Sequence, residues 1–457
     1  MKQLHDTTTI KAKWILMLKI VFPILVTQIA LYLMSFFDVL MSSKYSTADL
    51  AGVSIGSSIW MPIYTGLAGI LTSITPIVAQ LVGAKREKEA SFRVQQGFYV
   101  AIVLALVIFC VFLLTMQSIL SKMSLEPEVH RVAYHYLLAM CFGIFPLFIY
   151  SNLRCFIDAL GQTRVSMIIT LLATPINILF NYLFIFGNFG FPELGGVGAG
   201  VASAITYWII CGIAISITKK QKPFSSFAIF SKLPKPNWSK CMEITKLGLP
   251  IGLAIFAEGS IFSVVTILMS NYSTEVIGGH QIAMNFASLI YMIPLSISMG
   301  ATILVAYEAG AKHWKDAKTY SLISLATAVS FCVLSLTILL TFKENIAAVY
   351  TDDPNVVTLA SHFLTYAAFF QLSDAIQAPI QGALRGYKDV KITFVMALIS
   401  YWIIGLPLGY CLSNFTDLGP YGYWIGLISG LAIGAITLSI RLHFVHQKIK
   451  GIESPSI

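Results

Sequence analysis

Apolar residues in this chain gather into long blocks separated by short polar stretches. At 1.5 Å of rise per residue, a helix of about twenty residues crosses a hydrocarbon core of about 30 Å. Twelve blocks satisfy that length: residues 15–41, 49–83, 92–117, 130–157, 165–187, 195–218, 241–271, 276–311, 317–341, 357–384, 391–413 and 420–446. Backbone groups in lipid must be bonded within their own segment, so each block is predicted to be an α-helix. The second and eighth exceed the thickness of a bilayer and are expected to tilt or to extend beyond it. The pattern predicts an all-α polytopic membrane protein with twelve transmembrane helices.

Composition sharpens that reading. Of the 457 residues, 57% are hydrophobic and 11% charged, against about 25% charged in soluble proteins. The polar start, MKQLHDTTTIKAKW, leads into no small-residue cleavage site, so the first span is expected to remain as an anchor. The seven cysteines lie scattered without CxxC spacing, which excludes a disulfide framework and a zinc site. There is no P-loop and no nucleotide fingerprint, and the loops are too short for an ATPase domain. Nor do the spans carry HExxH, paired catalytic aspartates or a Ser/Lys pair. An enzyme is not expected, no cofactor is expected, and the energy should come from an ion gradient.

The net charge of +9 is explained by its placement. The even-numbered loops are basic, with Lys85, Arg86, Lys88 and Arg93, then Arg164, then Lys219 to Lys240, then Lys312, Lys315 and Lys318, then Arg385, Lys388 and Lys391. The odd-numbered loops carry Glu126, Glu128, Glu193, Glu275, Glu344, Asp352, Asp353 and Asp417. The positive-inside rule then places both termini in the cytoplasm of a plasma (inner) membrane protein, without any nucleic-acid partner.

An internal repeat divides the chain. Laying Pro23 onto Pro250 brings Lys19 onto Lys246, Ser46 and Thr47 onto Ser273 and Thr274, and Tyr64 onto Tyr291. At the same offset VAQLVGAKREKEA (78–90) meets VAYEAGAKHWKDA (305–317), and a weaker match pairs ALGQTRV (159–165) with ALRGYKDV (383–390). Each half holds six spans and so inserts the same way up. The expected organisation is a bundle over 1–218, a cytoplasmic linker over 219–240 and a second bundle over 241–457, related by a pseudo-twofold along the membrane normal. Parallel repeats of this kind are a transporter architecture with a site near mid-membrane.

Function is expected where the halves differ. A charged side chain at the centre of a membrane helix costs about 2.5–3.5 kcal/mol and is functional by default. Glu258 stands in KLGLPIGLAIFAEGSIFSVVTILM, beyond a Pro-Ile-Gly break, and faces Leu31 in the repeat. Asp374 pairs with Tyr150 through the ALG/ALRG match. Helical rise puts Glu258 about 18 Å and Asp374 about 16 Å from the cytoplasmic side, a shared depth. Two such carboxylates can hold a proton or coordinate a hard cation such as Na+; each could also cap a local polar defect near a proline. In the first half, Asp38 lies about 28 Å up and Asn181 about 26 Å, with Asn177 one turn below on the same face. That cluster reads either as a second polar site or as interhelical glue. Tyr291 and Gln281 could line a cavity, with packing an equal alternative. His280 reads as a satisfied polar side chain, and Asp158, beside Arg154 and Arg164, as a structural ion pair.

These motifs, SFFDVLM with Asp38, GNFGFPELGGVGAGVA (187–202), GLPIGLAIFAEGSIFSVVTILM with Glu258, GGHQIAMNF (278–286), and QLSDAIQ and ALRGYKDV with Asp374, together resemble the multidrug and toxic compound extrusion (MATE) transporters of the NorM type. The likeness covers nearly the whole chain. It implies a V-shaped pair of six-helix bundles that exports cationic, often aromatic drugs in exchange for Na+ or H+. It puts a second-half cation site on Glu258 and Asp374 with Tyr291, and a first-half site on Asp38, Asn177 and Asn181. Gln281 and Asp353 match positions associated with the drug. Some relatives have a tyrosine one turn before the tenth-span acid; here it is Phe370, so a hydroxyl ligand is missing.

The combined expectation is a monomeric secondary active antiporter working by alternating access, with small-molecule cationic drugs and membrane lipid as its partners. The alternative is a flippase for a lipid-linked precursor. That reading calls for an Arg- and Lys-lined cavity, whereas the spans are almost free of interior cations.

Overall fold

A computed structural model describes residues 9–453. Among them, twelve helices are long and apolar enough to cross a membrane: α1 (Ile10–Tyr45), α2 (Thr47–Gly83), α3 (Glu87–Ser121), α4 (Pro127–Ala159), α5 (Thr163–Phe186), α6 (Gly196–Lys220), α7 (Trp238–Met269), α8 (Thr274–Gly310), α9 (Trp314–Tyr350), α10 (Pro354–Gly386), α11 (Lys391–Phe415) and α12 (Tyr421–Lys450). All twelve expected spans are present. Several run past the apolar block that announced them, because i→i−4 bonding continues through polar flanks until a cap or turn ends it.

The caps repeat with the sequence. Ser46 and Ser273 sit at matching positions and each accepts a backbone N–H of the following first turn, from Asp49 and Val276. Pro127 and Pro354 both open their helices, where a missing N–H costs nothing. Lys85 and Lys312 both turn with positive φ, 59° and 61°.

This register corrects one pairing. Helices α4 and α10 are both 33 residues long. Each is followed, two residues beyond its end, by a positive-φ residue, Gly161 (φ 72°) and Lys388 (φ 62°). The offset that pairs Pro23 with Pro250 therefore holds at both ends of these helices and sets Asp374 against Leu147, not Tyr150. The short ALG/ALRG match had slipped by three residues. The first half still lacks the acid.

Three spans are less regular than the hydrophobic pattern implied, α9 by a kink at Phe342 (φ -112°, ψ 17°), and one is more so. Helix α2 breaks at Thr72 and Ser73, where Ser73 Oγ donates to Ile70 O (2.8 Å) and Ile244 O (3.1 Å). Helix α11 contains a π-helical stretch, Ile399–Gly405. The expected break at Pro250–Gly252 is not a break, since α7 is one α-helix with Pro250 inside it.

The helices form two compact units, and the chain changes unit inside α1 and α7 rather than in the linker. One unit is Phe22–Gly252; the other joins Leu253–Ile457 to the segment that ends at Val21. The 219–240 segment is a strap seated on α3. Gln95 Nε2 donates to Ile229 O (2.8 Å) and Lys232 O (3.0 Å), Tyr99 Oη to Pro234 O (2.8 Å), and Ser91 Oγ to Phe227 O (2.6 Å). In the same unit the first half of α7 lies backbone-close to α2: a Cβ added at Gly248 would stand 2.2 Å from Ile70 O, and at Gly252 2.3 Å from Gly66 O. Small residues give membrane helices this approach, and dispersion across the contact replaces the missing hydrophobic drive.

The second unit's core centres on Ile261, Phe363, Phe370, Trp424 and Leu431. His280 is fully buried within it. Trp424 Nε1 donates to His280 Nδ1 (3.1 Å), and His280 Nε2 lies 3.0 Å from Thr266 Oγ1. An indole is only a donor, so Nδ1 must accept and the neutral ring carries its proton on Nε2. The histidine ties α7, α8 and α12 together.

Two expectations follow. Gly252→Val forces α7 from α2 and should destabilise the fold by about 1–3 kcal/mol, read as a lower thermal midpoint in detergent, with Gly252→Ala milder. His280→Leu removes the acceptor of a buried indole and should cost about 1–3 kcal/mol, whereas Asp353→Ala, at an exposed helix start, should cost about 1 kcal/mol in the same assay.

Candidate functional site

Helix α10 carries the polar content of the second unit. Gln371, Asp374, Gln377, Gln381 and Arg385 recur at intervals of three and four residues, which sets them along one stripe of the helix. The stripe is bonded step by step. Arg385 Nη2 donates to Gln381 Oε1 (3.3 Å), and Gln381 Nε2 donates to Glu258 Oε1 (2.6 Å). Glu258, half-buried on α7, is thus held by a neutral amide whose other end is held by a guanidinium. The relay keeps a positive charge near the carboxylate without a direct ion pair. Gln377 Nε2 donates to Tyr401 Oη at 2.5 Å, and Trp402 Nε1 donates to Ala257 O (3.1 Å), beside Glu258. Tyr401 and Trp402 are consecutive, and both reach this region from the π-helical stretch of α11, a device found frequently at functional sites.

Asp374 is differently placed. Its carboxylate has no hydrogen-bond partner among the described residues and lines a cavity with Tyr291, Cys332, Ser335 and Gln371, walled by Ile290, Ile293, Pro294 and Phe331. Glu258 is not in that wall. Tyr291 lies within electrostatic reach of both acids, and Asp374 within reach of Glu258. The three residues expected to share a cation site therefore share a field, with the cavity opening on Asp374 and Tyr291. Phe370 is buried and packs edge-on against Phe262 (centroids 5.5 Å) and Trp424 (6.2 Å), away from the cavity wall.

In the first unit the expected cluster is assembled and closed. Asp38 Oδ1 accepts from Asn181 Nδ2 (2.7 Å), and Oδ2 accepts from Ser203 Oγ (2.9 Å). Asn177 Oδ1 accepts from Asn181 Nδ2 (3.1 Å), and Asn177 Nδ2 donates to Ser203 Oγ (3.1 Å). All four side chains are buried, and Asn181 Oδ1 alone lacks a partner. Asn181 Nδ2 faces two oxygens, Asp38 Oδ1 and Asn177 Oδ1, which fixes the orientation of its amide. A bonded carboxylate with one spare amide oxygen can accept a proton or draw in a small cation only if the network opens.

The remaining candidates are spread out. Gln281 is exposed on α8. Asp353 is exposed and caps α10, its Oδ1 accepting Asn355 N at 2.9 Å. Neither touches the acids. Asp158 pairs with Arg154 (3.6 Å) and accepts from Ser166 Oγ (2.7 Å), while Arg164 is exposed. Sequence reasoning missed Gln371, Gln381, Arg385 and Ser203. The spacing of the α10 stripe carried the signal for the first three; Ser203, one serine in a Gly/Ala-rich helix, carried none.

The sequence model of the MatE family matches residues 23–183 and 250–411, one stretch in each half. Among curated proteins, the chain is 54% identical over 439 residues to one named "Probable multidrug resistance protein NorM" from Bacillus subtilis (strain 168), covering 96% of this chain and 97% of the relative. It is 52% identical over 445 residues to a like-named protein of Oceanobacillus iheyensis, covering 97% and 100%. Among solved structures, it aligns with one titled "Outward-facing conformation of a multidrug resistance MATE family transporter of the MOP superfamily" at a TM-score of 0.89 and 16% identity over 98% of each chain. The eukaryotic MATE transporter AtDTX14 aligns at 0.83 and 18% identity over 96% of this chain and 99% of that one. With twelve helices of membrane-crossing length, a matched profile in both halves and full-length relatives above half identity, the chain belongs to the MatE family and is a multi-pass multidrug efflux transporter rather than an enzyme.

Proposed function

We propose that the protein is a secondary active antiporter that expels cationic and aromatic compounds from the cytoplasm in exchange for an inward-moving Na+ or H+. It acts as a monomer in the plasma membrane, with both termini cytoplasmic, and needs no cofactor beyond the coupling ion. The observation that carries this reading is the contrast between the acids. Asp38 has a donor on each oxygen, whereas Asp374 faces a cavity with no protein donor and Glu258 is held only through a glutamine. A carboxylate surrounded by hydrocarbon and lacking a partner is stabilised by a cation or a proton, so the second-half pair is the exchangeable one.

The proposed cycle uses those properties. An entering cation reaches Asp374 through the cavity and competes with Gln381 for Glu258, which loosens the Arg385–Gln381–Glu258 relay. The rearranged α7 and α10 no longer favour the drug, and it leaves. Inward movement of each charge gains about 2.3 kcal/mol per 100 mV, which sets the direction. Drug export is preferred to the lipid-linked-precursor reading because relatives matched over nearly the whole chain are named multidrug resistance proteins.

Two outcomes test the scheme. Glu258→Gln and Asp374→Asn should each slow efflux of a fluorescent cationic dye from vesicles by at least about tenfold, the loss of about 1.4 kcal/mol of coupling; normal efflux in both variants would refute it. Arg385→Gln removes the charge behind the relay but leaves an amide, and should change the cation concentration for half-maximal efflux while the protein still folds. An unchanged cation dependence would remove Arg385 from the mechanism.

A further inference from the structure

We propose that the strap over 219–240 is a binding surface for anionic phospholipid of the cytoplasmic leaflet, with Lys232 and Lys235 meeting the phosphate headgroup and Leu233 and Trp238 entering the layer beneath it. The inference goes beyond the transport reading and takes from it only the side of the membrane on which the strap lies.

Depth is set by what holds the strap. Ser91 Oγ donates to Phe227 O (2.6 Å), Gln95 Nε2 to Lys232 O (3.0 Å) and Tyr99 Oη to Pro234 O (2.8 Å). The strap then turns back, with Gln96 Nε2 donating to Lys235 O (3.3 Å) and Asn237 N to Gln96 Oε1 (2.7 Å). It therefore runs along α3 toward the membrane and is deepest at residues 232–234. The exposed apolar stripe of α3 begins at Ile102 and continues through Val103, Leu106 and Val107. Helical rise puts Tyr99 about 4–5 Å and Gln96 about 9 Å short of Ile102. The headgroup layer on each side of the hydrocarbon is about 5–8 Å thick. Residues 232–235 stand in that layer, and Trp238 at its outer edge.

The chemistry matches the depth. Phe224, Phe227 and Ile229 are buried, with Phe224 and Phe227 edge-on to Phe156 of α4 (centroids 6.1 and 5.3 Å). Left exposed are Lys219, Lys220, Lys222, Lys232 and Lys235, together with Leu233 (59% exposed) and Trp238 (78%). From Lys219 to Met242 the chain has six lysines and no Asp or Glu. Among the described residues, Lys240 alone of the six forms an ion pair, with Glu243 at 3.7 Å. Exposed lysine is what the positive-inside rule asks of any cytoplasmic loop. A leucine and a tryptophan exposed among lysines are not; burial in the interface would stabilise both. A lysine's long stem lets its ammonium reach a phosphate while an apolar neighbour sits below. Because α3 already holds the strap, its backbone loses little entropy when lipid binds.

Tryptophan quenching by chain-brominated lipids reads this contact in proteoliposomes of the full-length protein. The signal of Trp238 is the difference between wild type and Trp238→Phe. Phosphatidylglycerol is compared with phosphatidylcholine of the same chains. Trp238 should be quenched, and more strongly by phosphatidylglycerol at equal mole fraction. Lys232→Gln with Lys235→Gln should lower the ratio of the two binding constants about fivefold or more, one lysine beside an anionic surface being worth about fivefold. Lys232→Arg with Lys235→Arg should keep the ratio. So should Lys315→Gln with Lys318→Gln, an equal loss of exposed charge in the other unit. Glycerophosphoglycerol, the headgroup without chains, should not compete.

An unquenched Trp238 places the strap in water and overturns the proposal, as does equal quenching by the two lipids. A loss of preference as large in the Lys315/Lys318 variant as in the Lys232/Lys235 variant overturns it too, because the effect is then one of net charge. Competition by the free headgroup makes the site one for soluble phosphate and sinks the lipid assignment. Should the paired glutamine variant not fold, Lys235→Gln alone decides: a ratio equal to wild type overturns the proposal. The same lipids occupy both leaflets of the vesicle, so these outcomes stand apart from the sidedness and from the antiporter reading.

Discussion

A carboxylate placed among lipid-facing helices has to be given donors, a counter-charge or an ion, and the membrane supplies none of them. The two units meet that constraint differently. Around Asp38 the first provides a serine and an asparagine, with a second asparagine behind them, and the charge is spread over fixed dipoles. The second provides one amide to Glu258 and none to Asp374. An acid that the protein itself satisfies is part of the scaffold until something opens it. An acid left to be satisfied from outside is where an ion can change the balance between conformations, because a ligand shifts an equilibrium only by its difference in affinity for the two states.

The repeat makes this contrast interpretable. Caps, helix-opening prolines and positive-φ turns fall at matching positions in the two halves, so the scaffold is duplicated in detail. Against that background, Glu258 facing Leu31 and Asp374 facing Leu147 are departures rather than noise. The same is true of the first unit's cluster: Asn177 and Asn181 fall opposite Ile404 and Leu408. Each half has replaced apolar packing with polar chemistry at a different place.

The division inside α1 and α7 places one of those departures on a helix shared by both units. Helix α7 enters as part of one unit, tightly packed on α2 through Gly248 and Gly252, and continues into the other as the carrier of Glu258. One α-helix spans both, with Pro250 inside it and no interruption. Glu258 and the close backbone contact of Gly248 and Gly252 with α2 thus lie on the same helix. The 219–240 strap is held on α3 within the first of these units.

Much of this was readable in the chain. The number of spans, the repeat and the unusual acids follow from apolar block length and from the cost of charge in lipid, both local properties of the sequence. The amide pair Asn177 and Asn181 was visible as one turn of one helix face, and their clustering with Asp38, which Asn181 bonds directly, was inferable from shared depth. What the pattern could not supply was everything that depends on which helix turns toward which. The register of α10 against α4 needed both helix ends, since a four-residue match cannot distinguish a three-residue slip. The hold on Glu258 by Gln381 and Arg385, the absence of Glu258 from the cavity wall, the role of Asp353 as a cap, and the placement of Ser203 on Asp38 are contacts between or within helices whose rotation is set by packing. Hydrophobic periodicity fixes that a segment crosses the membrane. In a chain this uniformly apolar it leaves the rotation of each helix open, because lipid-facing and buried positions are both apolar and only close packing tells them apart.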